Sequence, residues 1–284
     1  MPAQPPRFLS APGTGLPGWV PESLERTTLR ARWLVGLLVV PAVLAGAVVL
    51  GILLVPLGAM VAAPLGVLVA VLVGLWVWKG APRRLLRAFG ATPLVDRDDL
   101  GVLRARGTLE LLCASLGLVV PALWLTEDPS ANAAVVATSP RRAVVVVTRG
   151  LLSTFDPVAL EAVLAHELCH LRHGDAALRT VAGALVARLA WVGDLGEWLH
   201  RILGQGNELR TDLAALAVTR YPPGLGDALR RMAASASSTR LLDRPDGRAT
   251  RWLWTVLPGP PLEGDALIGQ LDAPRVRADA LDEL

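Results

Sequence analysis

Lysine is almost missing from this chain of 284 residues: Lys79 stands alone, and the other 27 basic residues are arginine. The bias reads as codon composition, and because no basic cluster is interleaved with aromatics, no nucleic-acid partner is expected. Cysteine is nearly as scarce. Cys113 and Cys169 lie far apart in the sequence and read as small buried hydrophobes, with a disulfide between them the less favoured alternative for a cytosolic domain. Histidine occurs four times, and net charge is only +3. The most telling absence is of charge itself, for Trp33 to Trp78 carries none. With 52% hydrophobic residues and a mean hydropathy of +0.46, the chain is too apolar for an ordinary soluble protein and points to a membrane.

About 20 apolar residues suffice to cross a bilayer. The charge-free run is therefore expected to be a transmembrane helical hairpin, with spans near 33–54 and 59–78 and a minimal external loop at Pro56 and Gly58. Arg26, Arg30 and Arg32 precede it; Lys79, Arg83, Arg84 and Arg87 follow it. Basic flanks at both ends put both ends in the cytoplasm. Trp33, Trp76 and Trp78 sit where interfacial anchors belong. Residues 1–21, rich in proline and glycine, are expected to be a disordered tail without a secretory signal. The organisation that follows is a tail (1–21), a membrane segment (22–79) and a cytoplasmic domain (80–284).

Within that domain the pattern predicts helices at Arg83–Phe89 and about 98–116, then a strand from Leu118 to Thr126. After a loop at 127–132, strands are expected at Ala133–Thr138 and Ala143–Thr148, the second apolar enough to be covered on both faces. Helices are expected at about 175–203, from Glu208 to Tyr221-Pro-Pro-Gly224, at about 225–237 and at Val276–Leu284. The fold class is mostly α with a small β-sheet.

The chemistry sits in the helix between sheet and bundle. Asp156-Pro157 is a helix start and Gly174 a stop. Between them His166-Glu167-Leu168-Cys169-His170 reads His-Glu-x-x-His. Residues four apart share a helix face, so His166 and His170 can hold one zinc ion, and Glu167, about 100° round the helix, reaches a metal-bound water as general base. The plainer alternative is a pair of surface histidines. Zinc asks for a third protein ligand, and Glu208 offers one, with Asp212 a turn later placed to accept an N–H from a ligating imidazole. Alternatively, both acids are solvated charges on an amphipathic helix. His173 lies about 10 Å along the axis from His166 and cannot join the same ion. Cys169 as a thiolate ligand is conceivable, but packing is the preferred reading.

These residues, with Asn132-Ala133-Ala134, Val145 to Leu152, Leu160 to His170, Asp175 and Glu208-x-x-x-Asp212 in that order, resemble the membrane-bound zinc metallopeptidases related to HtpX and to the CaaX prenyl endopeptidase. The resemblance is sharp over about residues 119–220. It implies a gluzincin fold, one zinc per chain held by His166, His170 and Glu208, and Glu167 as general base. It also implies that Asn132, Ala133 and Ala134 hold a substrate added as a strand at the sheet edge. One departure stands out. The family's closing segment carries a histidine before proline, thought to steady the oxyanion, whereas here Ala273 precedes Pro274 and no histidine follows His200. Tyr221, Arg251, Arg277 or nothing fills that role.

The expected function is a cell-membrane, multi-pass zinc endopeptidase, its catalytic domain facing the cytoplasm and its substrates membrane or unfolded proteins. An antibiotic-sensing receptor peptidase would need an external domain for which the turn at Pro56 leaves no room. From another class, a catalytically impaired zinc-bearing scaffold fits the absent late histidine. Nothing in the sequence sets the oligomeric state.

Overall fold

The computed structural model describes residues 59–94, 99–188, 207–259 and 273–284. The expected tail, the first span and the turn at Pro56 lie outside the described residues. Helix α1 (Ala59–Ala88) contains a stretch, Pro64–Ala88, long and apolar enough to cross a membrane by length and composition; it is the one such helix among the described residues. Its environment changes along its length. Leu68, Leu72, Val73 and Trp76 are exposed, whereas Leu85, Leu86 and the following Phe89 are buried. The separate helix expected at Arg83–Phe89 is thus the end of α1. Charge begins at Lys79, yet the helix continues because its next turns find an apolar partner in Trp252, Leu253 and Trp254.

Four strands follow: β1 (Thr92–Pro93), β2 (Ala122–Thr126), β3 (Ala133–Ser139) and β4 (Arg142–Thr148), in the order β1-β2-β4-β3. β2 starts four residues later than expected because Pro121, inside the apolar run, cannot donate to a ladder. β4 pairs parallel with β2 (Leu123 opposite Val145) and antiparallel with β3 (Val135 opposite Val145). The sheet is therefore mixed and β3 is an edge. Alternation along β4 sends Val145 and Val147 into the main core and Val146 into the cluster with Leu85, Phe89 and Trp254. Both faces are covered, as the continuous apolar run requires.

Helix α2 (Leu100–Leu116) begins at Asp99, whose carboxylate accepts from Gly101 N, and ends at Gly117 in the left-handed conformation (φ 65°). Short α3 (Arg149–Thr154) leads from β4 into α4 (Pro157–His173). Gly150 has a steric reason to be glycine, since a Cβ there would stand 2.1 Å from the carbonyl oxygen of Pro129. That close approach ties α3 to the loop carrying Asn132, and Asp128 fixes the same loop by accepting from Ser130 N (2.9 Å) and Arg240 N (2.7 Å).

α4 is capped as its sequence predicts. Asp156 accepts from the backbone N–H of Val158 and Ala159, and Gly174 closes the helix at φ 77°. α5 is described from Asp175 to Arg188, and the rest of the helix expected there lies outside the described residues. α6 (Asn207–Thr219) precedes α7 (Pro222–Ser235), which opens at its prolines rather than at residue 225. A proline in the first helical turn loses no hydrogen bond, so the same pair both ends α6 and starts α7. α8 (Pro245–Ala249), a 3-10 turn (Arg251–Leu253) and α9 (Pro274–Asp282) complete the described chain. Helices α2, α4, α6, α7 and α9 share the main core with one face of the sheet, while α1 and residues 252–254 cover the other.

Candidate metal centre

His166, Glu167 and His170 are brought inside by α4, whose apolar residues Leu160, Val163, Leu164 and Leu168 pack into the core. All three polar side chains are at most 2% exposed. The two imidazoles meet edge to face, ring centres 4.9 Å apart. α6 delivers Glu208 to them: its Oε2 lies 3.2 Å from His166 Nε2 and 3.6 Å from His170 Nε2. Two atoms each about 2.0–2.1 Å from a tetrahedral zinc are roughly 3.3 Å apart. These donors already hold that spacing. His166 Nε2 and Glu208 Oε2 are buried without a hydrogen-bond partner, an arrangement normally costly unless a ligand completes it. The residues present fit a metal.

Each imidazole is backed by its own carboxylate. Asp212 Oδ1 stands 2.7 Å from His166 Nδ1, and Asp175 Oδ2 stands 2.9 Å from His170 Nδ1. Such partners fix the ring so that Nε2 faces the ligand side. Asp212 is gripped by Arg277, whose Nε and Nη2 donate to its two oxygens at 2.6 and 2.8 Å. Burial would raise the Asp212 carboxyl, but Arg277 and His166 outweigh it and hold it below the usual carboxylate range. Burial likewise opposes ionisation of Glu208, yet Arg179 and the histidines hold it well below its ordinary value. Burial disfavours the charged form of His170 too, but Asp175 and Glu208 lift it to about 9. Metal binding must therefore release that proton.

Glu167 faces the sheet edge. Thr255 Oγ1 donates to Glu167 Oε1 at 2.6 Å and also lies 2.9 Å from Ala133 O, bridging the motif to β3. Asn132, Ala133 and Ala134 are buried at that edge. The chain's own extended segment meets the first two. Thr255 N donates to Ala133 O at 2.9 Å, while Asn132 donates to Val256 O at 2.6 Å and accepts from Val256 N at 3.2 Å. Ala134 pairs within the sheet, opposite Val146.

Of the cations considered for an oxyanion, Arg277 is bound to Asp212 and donates to Thr255 O, and Arg251 is buried in the 3-10 turn. Tyr221 is 53% exposed in a groove with Asp156 and Val158, at the far end of α4. His173 is buried with Nδ1 unpartnered, and His200 lies outside the described residues. Cys169 is a free, buried thiol that burial pushes up to about 12, in keeping with packing. Sequence reasoning missed three contributors. Asp175, counted among the pieces that resemble the family but given no role at the metal, had a signal in following directly on the stop at Gly174. Arg179 stood out as a charge within an apolar helix. Thr255 carried no signal at all.

Fold and centre together define a mostly helical domain with a small mixed sheet, in which one helix gives two histidines and a later helix a carboxylate to a candidate metal centre. Residues 109–225 match the family model described as Peptidase family M48, and the chain is similar to several curated protease HtpX homologs. It is 30% identical over 158 residues to a protease HtpX homolog of Dictyoglomus turgidum, covering 44% of this chain and 52% of the relative. Over 88 residues it is 43% identical to one of Listeria innocua (31% and 29% covered). One from Sulfurovum sp. is 27% identical over 215 residues (73% and 75% covered). The chain spans about half the length of the first of these relatives.

Proposed function

We propose that this chain is a membrane-anchored zinc endopeptidase cleaving membrane or unfolded proteins. His166, His170 and Glu208 are the metal ligands, with Asp212 and Asp175 orienting the imidazoles. When bound, zinc supplies a Lewis acid and an activated water. Glu167 takes the proton of the attacking water on a carboxylate oxygen and passes it to the leaving amine nitrogen. Asn132, Ala133 and Ala134 hold the substrate backbone along β3. Thr255 Oγ1, donating to Glu167 Oε1 and standing 2.9 Å from Ala133 O, supports that assignment by joining base and strand edge through one hydroxyl. A hairpin of 33–54 and α1 anchors the domain on the cytoplasmic face.

The observation that carries this reading is the convergence of three buried donors within 4.8 Å of one another, Glu208 standing 3.2 and 3.6 Å from the two imidazoles and two of the atoms lacking a hydrogen-bond partner. The test is metal analysis and proteolysis of an unfolded substrate such as casein with detergent-purified wild type and Glu167→Gln. Both proteins are expected to hold one zinc, with the variant slower by about 10²–10⁴-fold. Equal rates in zinc-loaded proteins would remove Glu167 from the mechanism. A second reading, an impaired zinc-bearing scaffold, is favoured by residues 255–256 lying on the strand edge. Its mark is zinc in both proteins and cleavage in neither.

A further inference from the structure

Arg179 is the one member of the centre that a zinc site does not call for. It projects from α5 into the ligand group with its side chain 13% exposed. Nη1 donates to Glu208 Oε1 at 2.6 Å and lies 2.9 Å from His170 Nε2. Nη2 lies 3.4 Å from the carbonyl oxygens of Trp252 and Leu253. With Asp175 at Nδ1, the neutral form of His170, the form that a metal ion or a guanidinium donor requires, carries its proton on that nitrogen and offers the Nε2 lone pair outward. That lone pair is single. It can accept from a guanidinium or bind a metal ion, not both. Placing a divalent cation within a few ångströms of a buried guanidinium also adds a repulsion that the low-dielectric interior screens poorly.

We propose that Arg179 is an internal counter-cation that competes with the metal for His170 and Glu208, so that loading the site requires its guanidinium to withdraw from His170. The inference rests on the metal-site reading above and adds a control on it. Zinc affinity is set below what the two histidines and the glutamate would give alone, and occupancy becomes conditional on the position of α5. An isolated Glu208 carboxylate would be costly to bury, so Arg179 also keeps the ligand group folded without an ion.

The test uses the full chain in detergent, stripped of metal and titrated with zinc against a chromophoric chelator. Arg179→Met is expected to bind zinc roughly tenfold or more tighter, the scale at which groups behind the ligands act. Its metal-stripped form is expected to melt lower than wild type, the difference closing at saturating zinc. If the methionine variant folds poorly, Arg179→Gln, neutral and still a donor, takes its place in the titration. Equal or weaker zinc binding by the neutral variant, with one zinc in wild type, overturns the competition and leaves the metal site standing. Absence of zinc from both proteins overturns the metal site, and this inference with it.

Discussion

His173 closes α4 three residues beyond the second motif histidine, buried and with Nδ1 unpartnered. Burial pushes it down to about 4, with His170, Arg210 and Arg172 adding to that and Asp175 opposing it. The sign follows from comparing the two states. In the unfolded chain an ordinary histidine takes up its proton near 6.5, whereas the folded protein resists until about 4. Between those values the unfolded state binds more protons, so stability is lost as pH falls, by up to about 1.4 kcal/mol per unit. His173→Gln is expected to remove that slope, so that from pH 7 to 5 wild type loses roughly 2 kcal/mol more than the variant. Denaturant unfolding of both proteins in one buffer series measures it, with titration of the metal centre common to both. Parallel curves would mean that His173 is protonated or solvated when folded. At this scale the sequence was legible wherever chemistry is local. The i, i+4 pairing of His166 with His170, and of Glu208 with Asp212, needs nothing beyond helical geometry. Thr255 was not legible, because its contact with Glu167 spans 88 positions and no periodicity reports on such a pairing.

Between elements, the junction that matters most joins α9 to α6. Arg277 is among the largest fully buried side chains, and its fork holds Asp212, which backs His166. α9 thus acts on a proposed ligand through Asp212. Arg277→Met leaves a buried carboxylate without its cation, a change that typically costs about 3–5 kcal/mol. A thermal melt of the metal-stripped protein is expected to show that loss, and pairing the change with Asp212→Asn is expected to recover part of it. A melt indistinguishable from wild type would mean that water solvates Asp212 and that α9 is dispensable to the centre. The same junction marks the limit of element-level reading. The closing helix was anticipated two residues late, and Arg277 was considered only for an oxyanion. Sheet order was equally hidden. Short apolar strands announce themselves by composition, but the parallel pairing of β2 with β4, which leaves β3 at the edge beside Glu167, is settled by packing on both faces.

Across the whole molecule, a single helix runs from exposed apolar side chains into the buried core. Leu68, Leu72 and Trp76 of α1 face outward where Leu85 and Leu86, a few turns on, are core. A contiguous apolar face of that kind is unfavourable in water and natural in lipid. α1 continues from there into the cluster with Trp252 and Trp254, the same segment that meets Arg179 and β3. Any tilt of α1 would thus be felt beside the proposed metal ligands. The proposed orientation can be tested because both native thiols, Cys113 and Cys169, are buried and give an impermeant maleimide little to label. A cysteine replacing Leu57, in the turn between the proposed spans, is expected to react in intact cells. One replacing Arg141, in the exposed β3–β4 turn, is expected to react only after permeabilisation. Labelling of position 141 in intact cells would put the peptidase domain outside and reverse the topology that the arginine flanks imply. It would leave the metal geometry untouched and change the substrates within its reach.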